Sequence, residues 1–180
     1  ILLTPDTQSA SPLDDYERAR KGIQDPSEGL NSYIWHGYVE NGNQIVLERE
    51  GAAPVTVYTA PATLQQFAFA FDHNMRPVLG FQANDHIFIR WFDGTINNYR
   101  LNDFGEGRDP KLTLDDKRPT SFTISDVLFA YIRGRSLYYR QQRDRFTIER
   151  LLRDDVDSTV ALAYIGMTRN WRVQFELAAK

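Results

Sequence analysis

Short runs of aromatic and β-branched residues, separated by Asn, Gly, Asp and Pro, dominate the sequence from residue 31 onward. Such runs are typical of β-strands, and the separating residues are typical of turns. The runs fall in pairs that predict antiparallel hairpins, and the first turn contains Asn41 and Gly42, which readily adopt the positive φ of a tight turn. The four predicted hairpins are YIWHGYV with QIVLERE, PVLGFQA with HIFIRWF, VLFAYI with LYYRQQ, and ALAYIG with WRVQFEL. We therefore expect an all-β fold of repeated antiparallel hairpins.

The second and third hairpins align without a gap when one is shifted by fifty residues along the sequence. Three of the matched pairs are Leu79 with Phe129, Arg90 with Arg140, and Arg100 with Arg150. An Arg-Pro pair also precedes each hairpin, at residues 76–77 and 118–119, although here the shift is forty-two. Repeats of this length, each made of a few antiparallel strands, predict propeller-like blades. A β-sandwich built from the same hairpins fits the strand count equally well.

The first thirty residues differ from the rest in composition, because they are polar, interrupted by Pro and poor in apolar residues. One short helix is predicted over residues 14–22, with Asp14 or Asp15 as its N-cap and Gly22 as its end. Such a segment cannot form a core of its own, so we expect residues 1–30 to be an extended arm carrying a short helix. The alternative is an ordinary disordered terminus. Residues 31–180 are expected to form the β domain, with about four hairpin units.

The amino-acid composition excludes several kinds of binding partner and site. The chain has 180 residues, with 21 basic and 24 acidic side chains and a net charge of −3, so no overall field attracts nucleic acid. It has no Cys, which excludes disulfides and thiolate metal sites. Its apolar runs are too short for membrane insertion. Because the first residue is not Met, we expect a processed product or part of a longer chain.

Arginines are the main candidates for chemistry, since a guanidinium group binds a carboxylate through two parallel hydrogen bonds. Arg76, Arg90, Arg118 and Arg140 occupy repeat positions, and sialidase-type glycosidases grip a carboxylate with three arginines. Such an enzyme also needs a Tyr nucleophile, a Glu that polarises it and an Asp acid, and residues 78–101 contain no Glu. We favour the alternative that these arginines bind acidic turn residues or cover strand faces. No catalytic residue and no cofactor is predicted.

The stretch SLYYRQQRDRF, residues 136–146, combines Tyr with Arg, two residue types that are enriched in binding sites. Strand alternation places Leu137 and Tyr139 on one face and Tyr138 and Arg140 on the other, so one Tyr is expected to face outward or towards a neighbouring subunit. The candidate residues for binding a glycan or a protein are Tyr138, Arg140, Trp91 and Arg90. Candidate contacts of the N-terminal arm are Tyr16, Arg18 and Arg20. The three histidines show no ligand spacing, and no metal site is predicted.

Two segments, LTLDDKRPTSFTISDVLFAYIRGRSLYYRQQRDRFTIERLL and FAFDHNMRPVLGFQANDHIFIRWFD, resemble structural proteins encoded in the tail or virion modules of tailed bacteriophages. The resemblance covers roughly residues 24–178. A weaker likeness links the same units to the Asp-box blades of sialidase-type propellers, but the sequence has QRDRFTIE where those blades have S-x-D-x-G-x-x-W.

The phage resemblance implies a non-enzymatic structural protein of the virion tail, tail tip or fibre. Its copies would form a symmetric homo-oligomeric assembly and bind other tail proteins through the N-terminal arm. Two alternatives remain open: a carbohydrate-binding module that recognises a glycan of the host surface, and a glycoside hydrolase of the sialidase type.

Overall fold

The computed structural model describes residues 5–6, 17–20, 34–72, 74, 76–114, 126–167 and 172–180. These residues form antiparallel β-strands and one short 3-10 helix, Gln142–Asp144. The all-β class predicted from the sequence is confirmed. Within these ranges, no helix has the length and apolar character needed to cross a membrane.

The strands form four sheets that follow one another along the chain. Sheet 1 contains β1 (Pro5–Asp6), β2 (Glu17–Arg20), β3 (Ile34–Glu40), β4 (Gln44–Arg49) and β5 (Val55–Thr59). Sheet 2 contains β6 (Leu64–Phe71), β7 (Pro77–Ala83), β8 (His86–Asp93) and β9 (Asn98–Glu106). Sheet 3 contains β10 (Arg108–Leu114), β11 (Val127–Arg133), β12 (Ser136–Gln141) and β13 (Arg150–Arg153). Sheet 4 contains β14 (Val160–Met167) and β15 (Val173–Ala179).

The predicted hairpins and the fifty-residue repeat are both confirmed. The four hairpins are β3–β4, β7–β8, β11–β12 and β14–β15, and all four are antiparallel. Strands β7 and β11 begin and end fifty residues apart. Their pairing repeats as well, because Leu79 lies opposite Arg90 as Phe129 lies opposite Arg140. In the first turn, Asn41 and Gly42 have φ of 53° and 77°.

The fourth hairpin differs from the others in position. The first strands of sheets 2, 3 and 4 pack in succession, since β6 contacts β10 and β10 contacts β14. Strand β14 therefore takes the place of a first strand, and β14–β15 corresponds to first and second strands. The hairpins β7–β8 and β11–β12 are second and third strands. The described strands do not close into a barrel or a propeller ring.

Three apolar layers lie between successive sheets, and each layer is filled from both sides. Between sheets 1 and 2 the buried residues include Ile45, Leu47, Phe67, Phe69 and Phe81. Between sheets 2 and 3 they include Val78, Ile87, Trp91, Phe129 and Tyr131. Between sheets 3 and 4 they include Leu128, Ile132, Leu137, Leu162 and Ile165. This row of three layers differs from a two-sheet sandwich, which has a single layer.

Glycines in β3 and β7 allow two sheets to approach closely. A Cβ added to Gly80 of β7 would lie 2.5 Å from Cε2 of Phe129 in sheet 3. A Cβ added to Gly37 of β3 would lie 2.6 Å from Cε1 of Phe69 in sheet 2. Each glycine therefore makes room for an aromatic ring of the following sheet.

The structure corrects the helix predicted over residues 14–22. Glu17–Arg20 forms strand β2, which pairs with β1 on one side and with β3 on the other. The backbone hydrogen bonds offered by β3 outweigh the local helix preference of the sequence ERAR. The remainder of the predicted helix lies outside the described residues.

Candidate functional site

Arg140 of β12 is the most completely bonded of the predicted site residues. Its side chain lies between sheets 2 and 3, and the residue is only 9% exposed. Nε donates to the hydroxyl of Tyr131 at 2.8 Å, and Nη1 donates to the carbonyl oxygens of Phe146 and Thr147 at 2.9 and 3.0 Å. Nη2 donates to Oε1 of Glu149 at 3.2 Å. The guanidinium group therefore holds the turn after β12 against the sheet.

Tyr131 and Glu149 complete this network. The Tyr131 hydroxyl donates a hydrogen bond to Oε1 of Glu149 while it accepts one from Arg140. Burial and the bond to Glu149 raise the pKa of Tyr131, and Arg140 offsets only part of the increase. The phenol is therefore neutral near pH 7, and its proton serves the network. Phe104 of sheet 2 closes the site, since its ring centroid lies 4.1 Å from Cζ of Arg140.

Trp91 and Tyr138 also lie within the layer between sheets 2 and 3. Trp91 is 4% exposed, and its Nε1 donates to Oδ1 of Asn102 at 2.9 Å. Tyr138 packs against this layer, whereas Tyr139 packs against the layer between sheets 3 and 4. The predicted alternation is confirmed. The expectation that one Tyr faces outward is wrong, because a neighbouring sheet lies on each side of β12.

Asp93, at the end of β8, ties sheet 2 to sheet 3. It is 2% exposed and accepts hydrogen bonds from Arg100, from Arg145 in the connection between β12 and β13 of sheet 3, and from the backbone N–H of Thr95. Burial raises the pKa of this carboxyl, but the hydrogen bonds from these donors outweigh it and hold the pKa at about 2. Asp93 therefore remains ionised and binds the two arginines.

Asp109, in β10, joins the first strands of three sheets. Its backbone N–H donates to Oε1 of Gln66 in β6 at 2.8 Å, and Nε2 of Gln66 returns a bond to Oδ1 at 3.1 Å. Its other carboxylate oxygen accepts from the backbone N–H of Leu162 in β14 at 3.3 Å. Arg108 extends the link by donating to the carbonyl oxygen of Val160 at 2.6 Å.

Arg90 of β8 has a different environment from its repeat partner. Its Cζ lies 3.8 Å from the ring centroid of Tyr99 in β9 and 5.1 Å from that of Tyr58 in β5. Arg90 is half-buried where strands β8 and β9 of sheet 2 meet β5 of sheet 1. Burial lowers the pKa of Arg90, while Tyr99 and Tyr58 raise it. Among the residues with described placement, no carboxylate forms an ion pair with Arg90.

Arg76 lies beside this cluster. Its Cζ is 3.7 Å from the ring centroid of Phe92, and Phe92 meets Tyr99 edge to face with centroids 5.4 Å apart. The side chain of Arg76, too, has no acidic partner within the described ranges. We call the group Arg76, Arg90, Tyr58, Phe92 and Tyr99 the Arg90 cleft.

The corresponding positions of sheet 3 carry acids. Fifty residues after Tyr99 stands Glu149, and fifty residues after Arg76 stands Asp126. Glu149 forms an ion pair with Arg140 at 3.2 Å, and Asp126 forms one with Arg143 at 3.1 Å. At this spacing sheet 2 has an aromatic ring and a cation where sheet 3 has acids, although the fourth strands differ in register by two residues and Leu101 is the residue paired with Arg90.

Sequence reasoning placed Arg90 correctly in the repeat but missed Tyr58, Tyr99 and Glu149. Tyr99 and Glu149 directly precede Arg100 and Arg150, which the fifty-residue alignment matches, so comparing these neighbours would have drawn attention to both residues. Tyr58 gave no such signal, because its contact with Arg90 crosses from one sheet to another. Arg118 lies outside the described residues.

The candidate arm residues are only partly described. Arg18 and Arg20 lie in β2, where they are opposite His36 and Ile34 of β3. Tyr16 lies outside the described residues. In the described portion of the chain, no group of three His, Asp or Glu side chains could hold a metal ion.

Comparison of the chain with models of known protein families, with curated proteins and with solved structures finds no match. The functional argument therefore depends on the geometry of the chain and on the sequence resemblance.

Proposed function

We propose that this chain is a non-enzymatic structural component of a tailed-bacteriophage virion, built as a propeller-like row of β-sheets. The observation that carries the proposal is the use of its polar interior residues as ties between sheets. Arg140 fixes a turn, Asp93 binds an arginine of the next sheet, and Asp109 connects three first strands. Side chains used in this way stabilise a scaffold.

The propeller-like arrangement is supported by the order of contacts. Successive four-stranded antiparallel sheets with an apolar layer between neighbours are what propeller blades provide around an axis. Strands β6, β10 and β14 pack in succession, as the first strands of adjacent blades would.

The virion setting is supported by the resemblance of residues 24–178 to phage tail and virion proteins. In this setting the N-terminal segment contacts other tail proteins, and copies of the chain form a symmetric assembly. Many weak contacts of this kind reach high avidity when the copies are held together.

Quantitative mass spectrometry of purified particles of the encoding phage tests this proposal. We expect a fixed number of copies in each particle. A variant with both Arg18→Glu and Arg20→Glu should be incorporated less, whereas Arg135→Glu, at an exposed side chain of sheet 3, should be incorporated normally. A chain found in infected cells but absent from purified particles would contradict a structural role in the virion.

A further inference from the structure

We propose that the Arg90 cleft binds a carboxylate carried by a sugar ring, such as a terminal glucuronic acid of an acidic glycan. The two cations of the cleft lack acidic partners within the described residues, and aromatic rings surround them. The site would exist whether or not the chain belongs to a virion, so its test is separate from the test of the proposed function.

The first step of the argument is the hydrogen-bonding capacity of the guanidinium group. Arginine has five N–H donors in a planar fork, and this fork matches both oxygens of a carboxylate. The fork of Arg140 is used by Glu149, Tyr131 and two carbonyl groups. Arg90 instead contacts the rings of Tyr58 and Tyr99 and forms one side-chain hydrogen bond, with Tyr99. Arg90 therefore keeps more donors for a ligand than Arg140 does.

The second step comes from the repeat. The carboxylate of Glu149, just before β13, forms an ion pair with Arg140. In sheet 2, the residue fifty positions before Glu149 is Tyr99 and the residue paired with Arg90 is Leu101, and neither is acidic. Sheet 2 therefore keeps the cation without the internal anion. A ligand carboxylate would accept hydrogen bonds from Arg90, as the carboxylate of Glu149 accepts one from Arg140.

The third step concerns the rings. Tyr58, Phe92 and Tyr99 are all half-buried, so each keeps part of its surface exposed beside the two arginines. Binding sites for small ligands combine an apolar lining with a few well-placed polar groups. Tyrosine supplies a rigid surface for an apolar ring face together with a hydroxyl for hydrogen bonding. A sugar ring bearing one carboxylate has both features, whereas a bare anion uses only the arginines.

Calorimetric titration with a disaccharide ending in glucuronic acid tests the site, with the same disaccharide ending in glucose as the neutral probe. Charge-assisted hydrogen bonds from Arg90 should make the acidic disaccharide bind about tenfold tighter or more. Arg90→Gln should abolish this preference. Tyr99→Glu should abolish it as well, because the new carboxylate would bind the guanidinium group of Arg90 in place of the ligand.

Arg135→Gln is the matched control, since it removes one positive charge from an exposed side chain that pairs with Asp155. We expect its affinity for the acidic disaccharide to stay within about twofold of the unmodified chain, because surface substitutions away from a site change little. Circular dichroism and thermal unfolding establish that each variant is folded.

Equal affinity for the two disaccharides would overturn the proposal. It would also be overturned if the folded variants Arg90→Gln and Tyr99→Glu kept the preference for the acid. Inorganic phosphate serves as a third probe. Binding of phosphate alone, without binding of the acidic disaccharide, would contradict the assignment to a sugar carboxylate.

Discussion

Arg90 and Arg140 occupy the same place in successive sheets, yet their surroundings differ. Arg140 is buried and bonded to an acid, a phenol and two carbonyl groups. Arg90 is half-buried between two tyrosine rings. The pairing of the two arginines with the second strands is the same, but the fourth strands differ in register by two residues and supply different side chains. A repeated fold can therefore be kept although the equivalent arginines differ in role. One forms hydrogen bonds inside the protein, and the other remains accessible to a ligand.

The comparison extends beyond the two arginines. Fifty residues after Tyr99 and Arg76 of sheet 2, sheet 3 has the acids Glu149 and Asp126. Each acid of sheet 3 neutralises a cation of its own sheet. In the Arg90 cleft the two cations contact aromatic rings instead, which leaves a local positive charge on a chain whose net charge is −3.

The largest effect is expected from removing the guanidinium group of Arg140. Arg140→Met would remove the donor to the Tyr131 hydroxyl and to the carbonyl oxygens of Phe146 and Thr147, while Glu149 would keep its ion pair with Arg133 at 2.9 Å. Because a hydrogen bond to a charged group contributes about 1.5–3 kcal/mol, losing several should lower the free energy of unfolding by about 3 kcal/mol or more. Arg90→Met is the matched variant and should cost about 1 kcal/mol or less, because only half-buried cation–π contacts are lost. Denaturant unfolding of both variants measures the difference. Equal losses would contradict different roles for the two positions.

A second effect is expected at the contact between sheets 2 and 3. Gly80→Ala would push a methyl group into the ring of Phe129 and should lower the free energy of unfolding by about 1–3 kcal/mol. Gly94→Ala is the control, because a Cβ there meets no atom within 4 Å, and its effect should stay within about 0.5 kcal/mol. If the two variants were equally stable, the close approach of the sheets would be in doubt.

Asp126 of sheet 3, which stands fifty residues after Arg76, should make the free energy of unfolding depend on pH. Burial raises the pKa of Asp126 from 3.8 to about 6; hydrogen bonds from the backbone N–H groups of Arg143 and Val127 oppose the rise, and neighbouring Asp144 adds to it. Because the folded-state pKa exceeds the unfolded value, ionisation of Asp126 lowers stability as pH rises through about 6. This cost disappears as pH falls towards 3.8.

Between pH 7 and pH 5, the wild-type chain should therefore gain about 1 kcal/mol more stability than Asp126→Asn, which cannot titrate. Denaturant unfolding of both proteins at the two pH values isolates the contribution of this one group. The same pH dependence in both proteins would show that Asp126 does not titrate in this range.

The smallest expected effect is a difference between two substitutions of Tyr99. In Tyr99→Glu the new carboxylate should form an ion pair with Arg90, and a partly exposed ion pair contributes about 0.2–1 kcal/mol. Tyr99→Gln is the matched control, since it has the same size without the charge. The advantage of Glu over Gln should shrink in about 1 M salt, where charges are screened within about 3 Å. An advantage of Gln over Glu at low salt would mean that the new acid does not reach Arg90.

Much of the fold can be predicted from the sequence because the signals are local. Turn residues such as Asn41 and Gly42 mark the hairpins, and the alternation in 136–141 assigns Tyr138 and Tyr139 to opposite faces. The position of β14 as a first strand is not a local property, since it depends on contact with β10. Strand β2 was mistaken for a helix for the same reason, because pairing with β3 decides its conformation.

The candidate site was less predictable than the fold. Sequence reasoning selected Trp91 and Arg140 by residue type, and both proved to be buried structural residues. Burial depends on which side chains the neighbouring sheet supplies, and Phe104 and Tyr58 come from strands distant in the sequence. Arg90 could be placed in its strand from the repeat, but its lack of an acidic partner could be read only from the packed sheets.

The exchange of arginine Nε–H protons with water, measured by NMR with and without the acidic disaccharide, tests the difference between Arg90 and Arg140 most directly. We predict slow exchange at Arg140 that the ligand does not change, because its Nε–H is bonded to Tyr131 inside the network. At Arg90 we predict faster exchange that slows when the ligand binds. Equal protection of the two groups, or no response of Arg90 to the ligand, would contradict the conclusion that this repeat holds one arginine as a tie and offers the other as a binding site.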